Sequence, residues 1–548
     1  MILLLLLLVV FSYAQLPEPY VMLLEFRKTG DTNLGLKILE LYPHAVFAED
    51  LKVMLAQRFY EKGDTETASK LLRHVEPGKL KPDYREIYAR LWKELQLDPK
   101  EALLKLPTFF VEYIPYVPLT DEEAVRVAQR LLDAGHTEAV IKLLKGRDLQ
   151  KVCFLLGRAY YRKGQQEDAY QVLRSCPDPR AKEFLAKMLF EKSREEFLQA
   201  LSTVEDKDVL NRILFYAGRM SLYDGRYEDA LRWFSAMQES YNKYFQMGLV
   251  SFILERYQDA HLYFSKALKL AKSSVEISQA HFWLYKTLQK QGDSYSAHRH
   301  LRNASDGGGF YSVVARASLG EPVVDKFMQV ILEDTQPPST AFLVRSIWDA
   351  GFPYYARLEA FERLNSISPS DIILISRFDP YLAIRLAVRK YGERSEIYRA
   401  VAYPTPFREK VLQIAKEYGV DPALVYAVMR QESMFDPFAV SRSGAQGLMQ
   451  VMPQTARYVA SKEGLPLRPF DVEINLRMGV AYLREMLQLW NGDLVRALAS
   501  YNAGPRKVSS WPQHRDVYVF IETIPFPETR DYVKQVLQNY YVYSSLLQ

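Results

Sequence analysis

Apolar residues recur at three- and four-residue spacing along nearly the whole chain, and no segment alternates with the two-residue period of a half-buried strand. The pattern predicts an all-α protein. From about residue 15 to 305 it is punctuated by glycine turns, each followed four or five positions later by a small residue: Gly63 with Ala68, Gly135 with Ala139, Gly164 with Ala169, Gly225 with Ala230, Gly292 with Ala297. Ala139 to Ala169 and Ala230 to Ala260 are each 30 apart, Gly30 to Gly63 is 33 and Ala260 to Ala297 is 37. In the clearest pair, GRYEDALRWF and ERYQDAHLYF, Tyr227 and Tyr257 precede the alanine by three and Phe234 and Phe264 follow it by four, so all share one helix face.

Such spacing is that of tetratricopeptide-like helical hairpins, which stack into a superhelix because each hairpin buries its face only against its neighbours. Residues 15–305 are therefore expected to form a helical repeat superdomain, a curved surface suited to guiding a polymer or docking a partner. Asp306-Gly307-Gly308-Gly309 breaks the pattern, and residues 306–401 read as a helical linker domain. Tyr403-Pro404-Thr405-Pro406 marks a boundary, since two prolines one residue apart cannot lie inside a helix. Residues 402–548 form the last domain, which this boundary predicts to fold and act alone.

Composition narrows the class. The chain is 48% hydrophobic and 25% charged, which excludes disorder, and its 37 tyrosines and 28 phenylalanines suit aromatic packing and stacking on sugars. A formal charge of +5 over 548 residues, without a basic stripe, excludes a nucleic-acid partner. Residues 1–14 read as a signal peptide: an apolar run from Ile2 to Phe11 is followed by Ser12-Tyr13-Ala14, a small-x-small cleavage pattern, although the start lacks Lys or Arg. With Glu18 following, the run falls short of the roughly 18 to 20 apolar residues that span a bilayer, so no transmembrane anchor is expected after cleavage. Export would allow Cys153 and Cys176 to pair; their separation of 23 residues suits neighbouring antiparallel helices, and two buried thiols are an equal reading. No cofactor is expected, since neither a zinc-ligand pattern nor a calcium loop is present.

The chemistry concentrates after Asp421-Pro422, an N-cap followed by proline at the first helical position. That helix should deliver Glu432 at its C-terminal end, where the macrodipole and burial favour a protonated carboxyl and hence a general acid. Further helices are predicted from Pro453 to Gly464, from Asp471 to Asn491-Gly492, and from Asp493 to Gly504-Pro505, the last exposing Tyr501 and Asn502 at its end. Pro525 and Pro527 deliver Glu528 to the start of the terminal helix, whose apolar face is read as Val533, Val536, Leu537, Tyr540 and Leu547.

Four ordered blocks resemble the soluble lytic transglycosylases. They are Tyr403-Pro404-x-Pro406-Phe407, Glu432-Ser433 with Gly444 and Gly447-Leu448-Met449-Gln450-Val451-Met452-Pro453, Tyr501-Asn502-Ala503-Gly504-Pro505, and Ile524-Pro525-Phe526-x-Glu528-Thr529-Arg530-x-Tyr532-Val533. The segment from Phe310-Tyr311 to Leu319-Gly320 also resembles the family's linker, and long members carry a helical superdomain before the catalytic one.

The resemblance implies a tetratricopeptide-like superhelix followed by a mostly helical, lysozyme-like domain. It implies cleavage of the β-1,4 bond between N-acetylmuramic acid and N-acetylglucosamine in peptidoglycan, in the periplasm, with 1,6-anhydromuramyl ends and no metal or organic cofactor. Glu432 would be the single acid and base. Ser441, Gln450, Met452, Tyr501, Asn502 and Glu528 would line the glycan cleft, with Glu528 ionised and orienting its neighbours. The partners implied are glycan strands and, through the superdomain, other cell-wall enzymes. Two other readings remain at this point: a lysozyme- or chitinase-type hydrolase, and a scaffold that binds glycan and partners without turnover.

Overall fold

The computed structural model describes residues 16–323 and 339–547, so the predicted signal peptide lies outside the described residues. Within them the chain is all-α: 32 α-helices and three short 3-10 turns, no strand, and two isolated β-bridges, Val440 with Gln446 and Gln446 with Val451. None of these helices is long and apolar enough to cross a membrane.

The chain divides into two compact units, each discontinuous in sequence. One comprises Met1–Leu210 with Gln336–Ser366, the other Asn211–Thr335 with Ile367–Gln548. In the first, the helices Thr340–Asp349 and Pro353–Glu362 return to the start of the chain. The Tyr20 hydroxyl donates to Glu359 at 2.8 Å, the Tyr355 hydroxyl donates to buried Asp50 at 2.8 Å, and Phe352 packs on Tyr20 with ring centroids 5.8 Å apart. Here Cys153 and Cys176 form a disulfide between the Leu149–Arg162 helix and the turn after Gln166–Arg174, with Cα atoms 5.6 Å apart.

The second unit begins with the paired repeats. Ala230, Phe234, Ala260 and Phe264 are all fully buried, as their shared spacing predicts. Each phenylalanine fills a place that a small residue leaves open on the preceding helix: a Cβ on Gly218 would meet the Phe234 ring at 2.4 Å, and one on Gly248 the Phe264 ring at 2.7 Å. The Gly309–Leu319 helix closes on left-handed Gly320. Beyond Tyr403, three N-caps form where the sequence places them: Asp421, Asp471 and Asp493 accept the N–H groups of Ala423, Ile474 and Arg496 at 2.8, 3.0 and 3.0 Å. The terminal helix Pro527–Leu546 packs along the Pro422–Ser433 helix, Tyr543 stacking on Tyr426 at 5.2 Å. Its buried face includes Tyr532, Asn539, Val542 and Tyr543 besides Val533, Val536 and Leu537, whereas Tyr540 and Leu547 are only half-buried. The difference arises because polar tips reach partners at the helix contact, as Tyr543 does in donating to the Pro404 carbonyl at 2.9 Å.

Candidate active site

Glu432 occupies the last turn of the Pro422–Ser433 helix. The chain leaves this helix through Met434 and Phe435, both left-handed at φ +49° and +69°, and Gln450 in the following loop has φ +49°. Left-handed conformations at bulky non-glycine residues cost on the order of 1–3 kcal/mol each and persist only where the surroundings impose them. Ser433 is one such constraint: its buried hydroxyl donates to the Leu448 carbonyl at 2.8 Å and accepts the Phe435 N–H at 3.1 Å.

Asn475 is the other. From inside the Val472–Leu489 helix its amide donates to the Gln446 and Pro469 carbonyls at 2.9 and 2.7 Å, and its oxygen accepts the Met449 N–H at 2.8 Å. The loop can approach this closely only because residue 447 is glycine, at φ +75° with Asn475 Nδ2 2.3 Å and the Pro469 oxygen 2.4 Å from where a Cβ would lie. Gln450 donates both amide hydrogens to the loop, to Ala439 and Gly447 carbonyls at 3.0 and 2.9 Å.

The Tyr501 hydroxyl donates to the Met449 carbonyl at 2.9 Å, which fixes the loop to the Leu494–Ala503 helix, and Asn502 accepts the Thr529 hydroxyl at 2.7 Å, which fixes that helix to the start of the terminal one. Glu528 is exposed in the first turn of the terminal helix, and Tyr532 lies one turn further, buried, its hydroxyl making no hydrogen bond of ordinary length. Burial pushes the pKa of the Glu432 carboxyl up, the nearby Tyr532 hydroxyl works against the rise, and the charge of Glu528 adds to it, with the result at about 7. Burial first, then the Glu432 charge, also holds the Tyr501 and Tyr532 phenols protonated, well above their usual range. The site thus presents one carboxyl able to give up a proton near neutral pH, walled by two neutral phenols.

Residues 409–518 match the family described as transglycosylase SLT domain, and residues 523–548 match the soluble lytic transglycosylase helical domain. The chain is 29% identical over 289 residues to a soluble lytic murein transglycosylase of Salmonella typhimurium, covering 49% of this chain and 44% of that protein. It is 28% identical over 297 residues to the Escherichia coli K12 protein of the same description, covering 50% and 45%. Among solved structures, the 70 kDa soluble lytic transglycosylase of Escherichia coli superposes with a TM-score of 0.63 at 19% identity, covering 96% of this chain and 92% of that one. An inactive mutant of lytic transglycosylase Slt from Pseudomonas aeruginosa superposes with a TM-score of 0.57 at 23% identity, covering 96% and 89%. The matches place a transglycosylase SLT domain in the chain, and the whole resembles a long-form soluble lytic transglycosylase. Its match spans less than half the length of the curated relatives, and the structural likeness carries the fold, a helical superhelix with a lysozyme-like domain.

Within this transglycosylase fold the residues singled out in the sequence fall into two groups. Glu432, Tyr501 and Glu528 are close enough to act on one another electrostatically, and Asn502 joins them through Thr529. Ser441, Gln450 and Met452 belong to the loop. The Ser441 hydroxyl accepts the Ala445 N–H at 3.0 Å and pairs with Ser443 within its own turn, while Met452 is 41% exposed at the start of the Pro453–Glu463 helix. Tyr532 and Asn475 join the site without being among the residues the sequence marks for it. Each left a signal: Tyr532 follows Glu528 by four, hence lies on the same helix face, and Asn475 is a polar residue on an otherwise apolar helix face.

Proposed function

We propose that the chain cleaves the β-1,4 bond between N-acetylmuramic acid and N-acetylglucosamine in peptidoglycan strands and leaves 1,6-anhydromuramyl ends. The observation that carries this reading is the Glu432 carboxyl at the end of its helix, beside the Tyr501 and Tyr532 phenols, raised to about 7 and so protonated in a large fraction of molecules at neutral pH. Glu432 gives its proton to the leaving glycosidic oxygen as the C1–O bond breaks, and the substrate's acetamido oxygen supports the anomeric centre. The resulting carboxylate takes the proton of the muramyl C6 hydroxyl as that oxygen bonds to C1. Glu432 is then protonated again and no water is consumed. The intramolecular attack is favoured by effective molarities of about 10⁵ to 10⁸ M in well-oriented cases.

Two-carboxylate glycosidases use a second group as nucleophile or as base for water, roughly 5 to 9.5 Å from the first. Here the carboxylate felt at Glu432 is that of Glu528, exposed at a helix start, a position suited to holding a sugar hydroxyl or a neighbouring side chain. Tyr501, Asn502, Gln450, Met452 and Ser441 complete the glycan cleft in this reading. The periplasm is the compartment in which this substrate is met, and the repeats offer other cell-wall enzymes a surface. Digestion of purified peptidoglycan in ¹⁸O-water tests the chemistry: unlabelled 1,6-anhydro ends are expected, and labelled reducing ends would make the protein a hydrolase.

A further inference from the structure

Glu522 ends the short Val517–Thr523 helix and is 3% exposed. Its Oε1 accepts from Lys534 on the terminal helix at 2.7 Å, from the Tyr311 hydroxyl at 2.5 Å and from the Gln279 amide at 2.8 Å. Tyr311 and Gln279 come from the helices Gly309–Leu319 and Ser274–Gln291, more than two hundred residues earlier in the chain. A third early helix, Lys207–Tyr223, contributes Arg219, itself 5% exposed. Its guanidinium donates to the main-chain carbonyls of Glu522 at 2.8 Å and Ile524 at 3.4 Å, to Gln246 at 3.0 Å and to the Tyr223 hydroxyl at 2.9 Å. Lys286 adds a salt bridge to Asp516 at 2.5 Å.

Burial works to raise the pKa of Glu522, but the Lys534 ammonium, the Tyr311 hydroxyl and the Arg530 charge outweigh it and keep the carboxyl ionised below its usual range. A buried carboxylate and a buried guanidinium are costly to assemble for general stability alone, even with the hydrogen bonds that each accepts or donates here. Their placement supplies another purpose. Arg219 grips the two carbonyls that bracket the turn into Pro525-Phe526-Pro527, and Lys534 sits two residues past Tyr532 on the helix that also carries Glu528.

We propose that Glu522 is a positioning residue: gripped by Arg219, Gln279 and Tyr311, it fixes the segment that presents Glu528 and Tyr532 to Glu432, so the site is complete only with helices of residues 211–320 in place. The proposal rests on the glycan-cleaving reading for its consequence and departs from the autonomy that the proline-rich boundary at 402 suggests. The groups facing Glu432 are Tyr501 on one helix and Glu528 and Tyr532 on another. Loosening the second helix lets water reach the carboxyl and moves Glu528 away, both of which lower its pKa, while withdrawal of the Tyr532 hydroxyl raises it; burial is the largest of the three causes, so the net change is a fall.

The test uses full-length Tyr311→Phe and Gln279→Ala, which leave the catalytic machinery unaltered. The protonation of Glu432 is read by infrared difference spectroscopy, each protein against its own Glu432→Gln derivative. The midpoint is expected to fall by about one unit in each variant, with turnover of peptidoglycan down about tenfold or more. An unchanged midpoint in both variants overturns the proposal whatever turnover does. A shifted midpoint in a protein whose wild type releases no glycan fragments upholds the positioning role and counts against the glycan-cleaving reading alone.

Discussion

A carboxyl whose pKa stands at about 7 in the folded protein and 4.5 ordinarily binds its proton more tightly when folded. The stability linked to Glu432 is thus fully present below about pH 4.5 and is lost as pH rises through 7, where a charge must be buried. The full swing is up to about 3 kcal/mol. Glu432→Gln cannot ionise, so it is expected to melt with the wild type at pH 4.5 and above it at pH 9; superimposable melting curves at both would show that the carboxyl is solvated. The same substitution should cost about 10²- to 10⁴-fold in turnover, since an amide keeps the shape and supplies no proton. Retention of more than roughly a tenth of wild-type rate would remove Glu432 from the role of general acid. The rate should also decline above pH 7 as the acid form is lost, which a pH–kcat profile reads directly.

The loop that carries Gln450 is tied to the Val472–Leu489 helix through Asn475 as well as closed by its own bridges. Asn475→Leu removes three hydrogen bonds to main-chain groups, at about 1 kcal/mol each and more where a group is left buried without a partner. Hydrogen exchange at residues 446–450 should accelerate in this variant while the helices keep their protection. Gly447→Ala, with its Cβ driven into Asn475 and Pro469, is expected to do the same and to cost on the order of 2 kcal/mol or more. Wild-type exchange in either variant would show that the loop does not depend on the clamp. At this scale the sequence was informative where chemistry is local. Aspartate caps, prolines at first helical positions and glycine stops placed the helices that bear Glu432, Tyr501 and Glu528. What it could not supply is long-range: that Tyr532 turns toward Glu432, that Asn475 reaches across to residue 449, or that Glu522 gathers side chains from three earlier helices. Those depend on packing between segments that local periodicity does not encode.

At the scale of the molecule, the disulfide between Cys153 and Cys176 closes a loop of 23 residues, for which chain entropy gives about 3 kcal/mol of stabilisation. Reduction should lower the melting temperature of the wild type and leave a Cys153→Ala/Cys176→Ala variant unmoved; a wild type indifferent to reductant would mean that the bridge constrains nothing in the unfolded chain. Periodicity made the repeats legible, whereas the return of Pro353–Glu362 to the first helices left no mark in it. That return has a consequence in time. Asp50 and its partner Tyr355 are 305 residues apart, so at ribosomal rates of roughly 5 to 20 residues per second the first helices emerge about 15 to 60 seconds before the residues that complete their core. For that interval Phe47 and Tyr20, buried in the finished unit, have only each other and lack the rings of Phe352 and Tyr355 that later cover them, so the growing chain carries exposed aromatic surface open to wrong contacts.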